Sequence, residues 1–286
     1  MAGAEGGLTV ALGPDDLVFC AGTALRAPLA ERARAAAAAG FTGISLWAED
    51  VTRARAEGFS DGDVRALLAE LGLDVAELDG VSRWLPGTGD LPFGHRAEDL
   101  LALATTVGGR SLNVMDIMAQ PVPVEVAAAS FAAICDQARP QGLLVHLEFL
   151  PWSSIPDLAT AWKIVRLADR DNGGLMLDTW HFLRSGGQAV ELRALPGEKI
   201  FAVQLADAPA APDGHVMDET THRRRLPGEG DGPLADIVRT LHAIGCRAPL
   251  GVEVFSDTLS ALPTDEIARR AARTTRAVLM QAGGPR

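Results

Sequence analysis

The chain has 286 residues, of which 37 are aspartate or glutamate and 26 are lysine or arginine, so its formal net charge is −11. Apolar residues make up 48% of the chain and charged residues 22%, which is typical of a globular protein with one large α/β domain or two ordinary ones. The negative charge argues against unaided binding to nucleic-acid phosphates or anionic membranes. The longest alanine-rich run, residues 33–39, contains Arg34 and is too short to cross a bilayer.

The cysteines and the N-terminus indicate the compartment. Cys20, Cys135 and Cys246 are odd in number and far apart, which predicts reduced thiols and excludes a CxxC zinc knuckle. The first sixteen residues contain three acidic side chains and have neither the basic start nor the apolar core of a secretion signal. We therefore predict a cytoplasmic protein that binds neither membrane nor nucleic acid.

Short apolar runs alternate along the chain with helical stretches rich in alanine, leucine and arginine. Several of the runs are apolar without alternation, as expected for parallel strands that are buried on both faces. The predicted strands are residues 17–23, 42–47, 74–78, 111–116, 143–149, 174–178, 200–205 and 250–254. The predicted helices begin near Pro28, Ser60, His95, Val124, Ile155, Gly187, Pro233 and Pro263.

This alternation predicts a (β/α)8 barrel in a single domain. Without an N-terminal arm over residues 1–14, the barrel domain covers residues 15–286 and allots about 34 residues to each of eight units, close to the usual size of that fold. A doubly wound sheet is the alternative, because it uses the same alternation with fewer strands. No Pro- and Gly-rich linker divides the sequence, which favours the barrel.

Oxygen-bearing side chains stand at the ends of the last four predicted strands, where a barrel carries its active site. They are, in chain order, Glu148, Asp178, Gln204 and Glu253. Unpaired carboxylates in apolar sequence are costly, and carboxylates that converge repel each other. A divalent cation resolves both problems, so we predict that these residues bind one. An all-oxygen ligand set favours Mg²⁺ or Mn²⁺ over Zn²⁺.

Tryptophans fall near the same predicted rim. Trp47, Trp84, Trp152 and Trp180 lie in or beside the loops that follow strands, whereas Trp162 lies in a helix. Aromatic side chains at a site entrance stack on sugars or enclose flat rings, although packing between loops is the alternative. We predict that Trp47, Trp152 and Trp180 contact an uncharged polyol, a cyclic ketone or a ring-bearing glycoside.

Two local motifs strengthen the functional interpretation: Asp178-Thr-Trp-His181 and Arg224-Arg225-Leu-Pro-Gly. With them, the chain resembles the xylose-isomerase-like TIM barrels, the sugar phosphate isomerase and epimerase group. This group includes hydroxypyruvate isomerase, ketose 3-epimerases, inosose isomerase and dehydratase, and dehydroshikimate dehydratases. Its metal set is Glu, Asp, His and Glu on strands five to eight, and the spacings of 30, 26 and 49 residues fit it.

One ligand departs from the family pattern, because Gln204 stands where many members have histidine. An amide oxygen can still coordinate a cation, but it is a weaker donor. The resemblance therefore implies a divalent metal cofactor, with Mn²⁺ or Mg²⁺ first and Co²⁺ or Zn²⁺ as further candidates.

The resemblance also implies residue roles. Glu148 and Glu253 would act as base and acid, Asp178 and Gln204 would anchor the metal, and His181 and Arg224 would bind substrate oxygens. His146, two residues before Glu148, is interpreted as a core histidine.

The implied activity is that of a metal-dependent isomerase or epimerase, which removes a proton beside the carbonyl of a keto-sugar, polyol ketone or related hydroxy ketone and forms a metal-stabilised enediolate. The alternative is a dehydratase or lyase that uses the same metal and glutamates on a cyclic hydroxy ketone or 3-keto-glycoside.

Two other classes fit less well. Metal-dependent phosphodiester cleavage, as in the apurinic endonucleases built on this barrel, would require a basic surface and additional histidines at the site. The net charge of this chain is −11. A non-catalytic metal-binding subunit is consistent with the unusual Gln204. The expected partner is a small carbohydrate-like substrate, with a homo-oligomer or a partner subunit also possible.

Overall fold

Eight parallel strands close into a barrel in the computed structural model, which describes residues 12–88, 94–118 and 120–283. The strands are β1 (Leu17–Phe19), β2 (Gly43–Trp47), β3 (Asp74–Val81), β4 (Ser111–Met115), β5 (Leu144–Glu148), β6 (Gly173–Asp178), β7 (Ile200–Leu205) and β8 (Leu250–Val252). Each strand pairs with the next in chain order, and β8 pairs with β1. The predicted (β/α)8 barrel is confirmed. A doubly wound sheet is excluded because it would leave open edges.

Helices surround the strands in the described part of the chain, and each predicted helix start lies within three residues of an observed helix. The helices are α1 (Leu29–Ala38), α2 (Ala48–Ala56), α3 (Asp61–Glu70), α4 (Ala97–Val107), α5 (Val124–Ala138), α6 (Leu158–Ala168), α7 (Thr179–Arg184), α8 (Ala189–Arg193), α9 (Val216–His222), α10 (Leu234–Ala243), α11 (Asp257–Ser260) and α12 (Thr264–Gln281). Short 3₁₀ helices span Ala21–Ala24, Arg139–Gln141 and Gly197–Lys199. The sequence pattern does not predict α2, α7, α9 and α11, which lie in the segments that follow β2, β6, β7 and β8.

The first and last strands end earlier than predicted. β1 stops at Phe19 rather than at residue 23, and β8 stops at Val252 rather than at residue 254. Thr23 explains both ends, because its Oγ1 donates to the Val252 carbonyl at 2.8 Å and accepts from the Val254 amide at 2.9 Å. The Thr23 side chain thus takes the place of a backbone partner for the Val254 amide, while the Val252 carbonyl also accepts from the Cys20 N–H at 3.2 Å.

Two kinds of side chain fill the interior. The apolar core lies mainly between the strands and the surrounding helices, where Phe19, Leu46, Leu112, Phe131 and Phe149 are fully buried. Polar side chains occupy alternate positions of β3, β4 and β5, and a strand places alternate residues on one face. These buried polar residues are Glu77, Asp79, Ser111, Asn113, His146 and Glu148.

Three further predictions concern the N-terminal arm, membrane-spanning helices and the cysteines. Residues 1–11 of the predicted arm lie outside the described residues, so the boundary of the arm stays a prediction. No helix in the ranges described above has both the length and the apolar character needed to span a membrane. Cys20, Cys135 and Cys246 are buried free thiols.

Candidate active site

The four predicted metal ligands stand at or next to the C-terminal ends of β5, β6, β7 and β8. Glu148 and Asp178 are the last residues of β5 and β6, and Gln204 pairs in register with Asp178. Glu253 follows β8 by one residue, where its backbone N–H donates to the Leu205 carbonyl at 3.2 Å. All four ligand side chains are buried, so their polar atoms depend on partners within the protein.

His181 joins two of these carboxylates in a close group. Potential ligand atoms of Glu148, Asp178 and His181 lie within 4.8 Å of one another. The Nε2 atom of His181 is 3.5 Å from Glu148 Oε1 and 3.7 Å from Asp178 Oδ2. Burial lowers the pKa of His181 to about 3, so its imidazole is neutral at ordinary pH. The structure thus brings the predicted substrate-binding histidine next to two of the predicted metal ligands.

Asp178 is ionised and fixed by three donors. Its Oδ1 accepts from the backbone N–H groups of Trp180 at 2.7 Å and His181 at 3.1 Å, which caps α7, and its Oδ2 accepts from Arg224 Nη1 at 2.7 Å. Burial alone would raise the pKa of Asp178, but the positive charge of Arg224 outweighs it and the pKa is lowered. A carboxylate has about four acceptor positions, so one stays available for a cation.

The two glutamates are held differently. Glu148 Oε2 accepts from Asn113 Nδ2 at 2.6 Å, whereas Glu253 Oε1 has no hydrogen-bond partner among the described residues. Burial raises the pKa of both carboxyl groups well above the usual range, and the negative charge of Asp79 raises both further. Without a compensating positive charge, these side chains therefore favour their neutral form.

Gln204 supplies a second buried oxygen that has no partner. Its Nε2 donates to Glu77 Oε1 at 3.0 Å, while its Oε1 accepts no hydrogen bond from any residue that the structure describes. Leaving a buried acceptor unsatisfied costs about 1–3 kcal/mol. Carboxylate and amide oxygens are ligands of hard divalent cations, so the residues at this end of the barrel fit such an ion.

Hydrogen bonds and two aromatic rings hold the Arg224 side chain next to Asp178. Its Nε and Nη2 donate to the carbonyl and hydroxyl oxygens of Thr220 at 3.0 and 2.8 Å, and Nη1 donates to Asp178. The guanidinium carbon lies 5.0 Å from the ring centres of both Trp180 and Phe255, a cation–π geometry. The substrate-binding role predicted for Arg224 stays a prediction, and its position next to Asp178 agrees with it.

Trp152 and Trp180 lie beside His181, and Trp47 lies beside Phe255, the ring against which Arg224 packs. Trp180 is fully buried, and its ring centre is 5.3 Å from that of His181. Trp152 is partly exposed and meets His181 edge-on at the same 5.3 Å. Trp47, also partly exposed, lies 6.1 Å from Phe255. Trp47 and Trp152 thus keep surface available for a ligand, and the substrate contacts of all three stay predictions.

The first half of the barrel contributes residues that the sequence analysis missed. Asn113 Nδ2 donates both to Asp79 Oδ1 at 2.8 Å and to Glu148 Oε2 at 2.6 Å, which ties β3 to β5. Burial raises the pKa of Asp79 to about 6. The signal was present in the sequence, because Glu77 and Asp79 stand two residues apart on either side of Leu78 and so share one face of the strand.

A single carboxylate organises the loop that carries Arg224. Asp207 Oδ1 accepts from the backbone N–H groups of Ala208 at 2.8 Å and Gly232 at 2.9 Å, and Oδ2 accepts from those of Gly228 and Gly230, both at 3.0 Å. A Cβ atom on Gly230 would lie 2.4 Å from Asp207 Oδ1, so this approach requires glycine. Asp207 is fully buried, which makes these hydrogen bonds important for the loop.

We expect Asp207→Asn to lower the free energy of unfolding by about 1–3 kcal/mol, because an amide NH₂ would then face buried N–H donors that need an acceptor. Urea denaturation measures the change. Asp213→Asn, in an exposed part of the same loop, is the control and should leave the midpoint unchanged. Equal midpoints for both variants would contradict the organising role of Asp207.

Comparison with known protein families identifies the family of this chain. A model of the xylose isomerase-like TIM barrel family matches residues 33–278. The chain belongs to this family. The family resemblance predicted from the site motifs is therefore confirmed.

Relatives in the family carry out more than one reaction. A 3-dehydroshikimate dehydratase of Pseudomonas aeruginosa is 36% identical over 250 residues, which cover 84% of this chain and 38% of that protein. An inosose isomerase of Bacillus velezensis is 30% identical over 182 residues, covering 59% of this chain and 64% of the relative. The chain thus spans less than half the length of the dehydratase. Both reaction types considered from the sequence, isomerisation and dehydration, occur in the names of these enzymes.

The fold is also shared with a solved structure. A crystal structure of the IOLI protein with a binding zinc atom has a TM-score of 0.84, with 22% sequence identity. The match covers 93% of this chain and 99% of the other. At this identity, the likeness establishes the common barrel.

Proposed function

We propose that the protein is a divalent-metal-dependent enzyme that removes a proton next to the carbonyl group of a carbohydrate-like hydroxy ketone. The observation that carries this proposal is the pair of buried oxygens, Gln204 Oε1 and Glu253 Oε1, that have no partner in the described chain. Together with Glu148 and Asp178 they form an oxygen donor set, which suits Mg²⁺ or Mn²⁺. The zinc atom of the IOLI protein keeps Zn²⁺ as a further candidate.

The roles proposed for the protein side chains follow from their surroundings. When bound, such a cation supplies Lewis acidity that polarises the substrate carbonyl. Glu148 and Glu253 exchange protons with the substrate, and burial raises the pKa of both carboxyl groups, which favours their uptake of a proton. The Nε2 atom of His181 lies 3.1 Å from Arg224 Nη2 and accepts from it, so the proton sits on Nδ1. That N–H lacks a partner among the described residues and can donate to a substrate oxygen.

The two relatives indicate the substrate class. Inososes and 3-dehydroshikimate are both six-membered cyclic ketones that carry hydroxyl groups, and the entrance has the partly exposed aromatic rings of Trp47 and Trp152. A flat aromatic surface suits the face of such a ring. We therefore propose a cyclic hydroxy ketone as the substrate.

Two outcomes follow from the same first step. In the first candidate function, one glutamate removes the proton and the other returns a proton to the opposite face or to the neighbouring carbon, which gives epimerisation or isomerisation. In the second, the enolate expels a β-hydroxyl group that the other glutamate protonates, and water leaves. The 36% identity to a dehydratase over 84% of this chain supports this second candidate, as the identity to an inosose isomerase supports the first.

A substrate panel in D₂O tests the proposal. The protein, loaded with Mn²⁺ or Mg²⁺, is incubated with inososes, ketoses and 3-dehydroshikimate, and NMR follows deuterium at the carbon beside each carbonyl. We expect exchange with at least one cyclic hydroxy ketone. Dehydration of 3-dehydroshikimate would also produce an aromatic absorbance. No exchange on any compound by the loaded protein would contradict proton abstraction and favour a binding role.

Metal removal should abolish the same activity. We expect a chelator to reduce the rate at least about 100-fold, because the loss of Lewis-acid stabilisation amounts to several kcal/mol. Adding Mn²⁺ or Mg²⁺ should restore it. The control is protein dialysed without chelator. Full activity in protein shown by elemental analysis to be metal-free would exclude the proposed cofactor.

A further inference from the structure

A buried carboxyl group lies directly against the amide of Gln204. Glu77 on β3 and Gln204 on β7 are 127 positions apart in the sequence, yet Gln204 Nε2 donates to Glu77 Oε1 at 3.0 Å. Both side chains are buried, at 3% and 0% exposure. The other end of the amide, Oε1, has no partner in the described chain, so the two ends of Gln204 have different environments.

This asymmetry matters because the two ends of an amide have almost the same shape but opposite chemistry. The carbonyl oxygen can bind a cation, whereas the NH₂ group can only donate hydrogen bonds. A glutamine ligand therefore needs a neighbour that fixes which end faces the ion. We propose that Glu77 is a positioning residue that orients the Gln204 amide so that its carbonyl oxygen is presented to the cation. This inference rests on the proposed function, in which the site holds a metal ion.

Glu77 can fill this role because it belongs to a hydrogen-bonded set beneath the site. The Asn113 NH₂ group is directed at Asp79 and Glu148, which leaves its Oδ1 to face His146 Nδ1 at 3.3 Å. The Nε2 atom of His146 lies 3.1 Å from Ser111 Oγ and 3.5 Å from Glu77 Oε2. One oxygen of Glu77 thus faces His146, and the other accepts from Gln204 Nε2 at 3.0 Å and from the Cys20 thiol at 4.0 Å.

Metal titrations of a double-mutant cycle test the inference. The variants are Glu77→Met, which removes the acceptor at similar length, Gln204→Leu, which removes the ligand, and their combination. We expect Glu77→Met to raise the Kd for Mn²⁺ about 10- to 100-fold, the usual effect of removing a partner that orients a ligand. The double variant should bind no more weakly than Gln204→Leu alone, because Glu77 acts through Gln204.

Glu77→Gln is the matched control. Its amide oxygen can accept from Gln204 Nε2 in place of the carboxylate oxygen, so its Kd should stay near that of the wild type. Circular dichroism and melting curves establish that each variant is folded. An unchanged Kd in folded Glu77→Met, or additive losses in the double variant, would overturn the positioning role.

A structure of the wild-type protein with Mg²⁺ tests the inference even if Glu77→Met does not fold. We expect Gln204 Oε1 on the ion and Nε2 still on Glu77; an amide that has turned away from Glu77 would overturn the inference. A wild-type protein that binds no divalent cation would overturn the proposed function itself. Cation binding with equal affinity in Glu77→Met would overturn the role of Glu77 alone.

Discussion

The Glu148→Gln variant is expected to lose turnover by about 10²- to 10⁴-fold, since an amide cannot take up or return a proton at the substrate carbon. The variant should fold, because the new amide oxygen can accept the hydrogen bond that Asn113 Nδ2 now gives to Glu148 Oε2. Turnover is measured with whichever cyclic hydroxy ketone exchanges deuterium, at saturating Mn²⁺ so that weaker metal binding does not limit the rate.

The matched control for this variant is Glu125→Gln. Glu125 lies on α5 with most of its side chain exposed, and the substitution makes the same chemical change away from the site. It should leave kcat unchanged. If Glu148→Gln kept wild-type turnover at saturating metal, proton transfer by Glu148 would be refuted.

The Glu253→Gln variant is expected to lose turnover to a similar extent, by about 10²- to 10⁴-fold. Since Glu253 Oε1 has no partner among the residues described, replacing the carboxylate should disturb the fold little, and the melting temperature should stay near that of the wild type. The amide oxygen can still bind the cation, so metal affinity should fall less than in Gln204→Leu. An active Glu253→Gln enzyme would contradict the catalytic role of this glutamate.

Deuterium exchange distinguishes the catalytic roles of Glu148 and Glu253. The variant that lacks the proton-returning residue should still incorporate deuterium into recovered substrate without forming product, whereas the variant that lacks the base should do neither. The comparison assigns base and acid in the forward direction. Equal and complete loss of exchange in both variants would indicate that both groups are needed for the first step.

The barrel could be predicted from the sequence because the burial of parallel strands leaves a clear pattern. The run at β5, LLVHLEF, is mostly apolar, and the helical segments between strands keep a regular spacing. The positions of Glu148, Asp178 and Gln204 followed from the same reasoning, since strand ends converge in a closed barrel. Predicting the barrel and the convergence of its strand ends required no knowledge of individual side-chain contacts.

Contacts between distant strands could not be predicted in this way. The sequence analysis ended the third strand at residue 78, whereas β3 continues to Val81, so Asp79 was placed beyond the strand. Glu77 lay within the predicted strand, but its hydrogen bond with Gln204 joins β3 to β7 and has no local sequence signal. His146 was interpreted as a core histidine, and it is fully buried within hydrogen bonds to other polar side chains. Its link to Glu77 depends on how β3 and β5 face each other inside the barrel.

The environment of Arg224 illustrates the same limit. The Arg-Arg-x-Pro-Gly motif predicted a residue near the substrate. That Arg224 pairs with Asp178 and packs between Trp180 and Phe255 depends on segments that follow β6, β7 and β8. Such packing arises only when all three segments meet, so no local sequence pattern encodes it.

Anomalous diffraction from crystals soaked in Mn²⁺ tests the central claim most directly, because it locates the ion without assuming a substrate. The proposed site predicts one strong peak at the C-terminal end of the barrel, within coordination distance of oxygens from Glu148, Asp178, Gln204 and Glu253. A peak elsewhere, or none at these four side chains under saturating Mn²⁺, would contradict it.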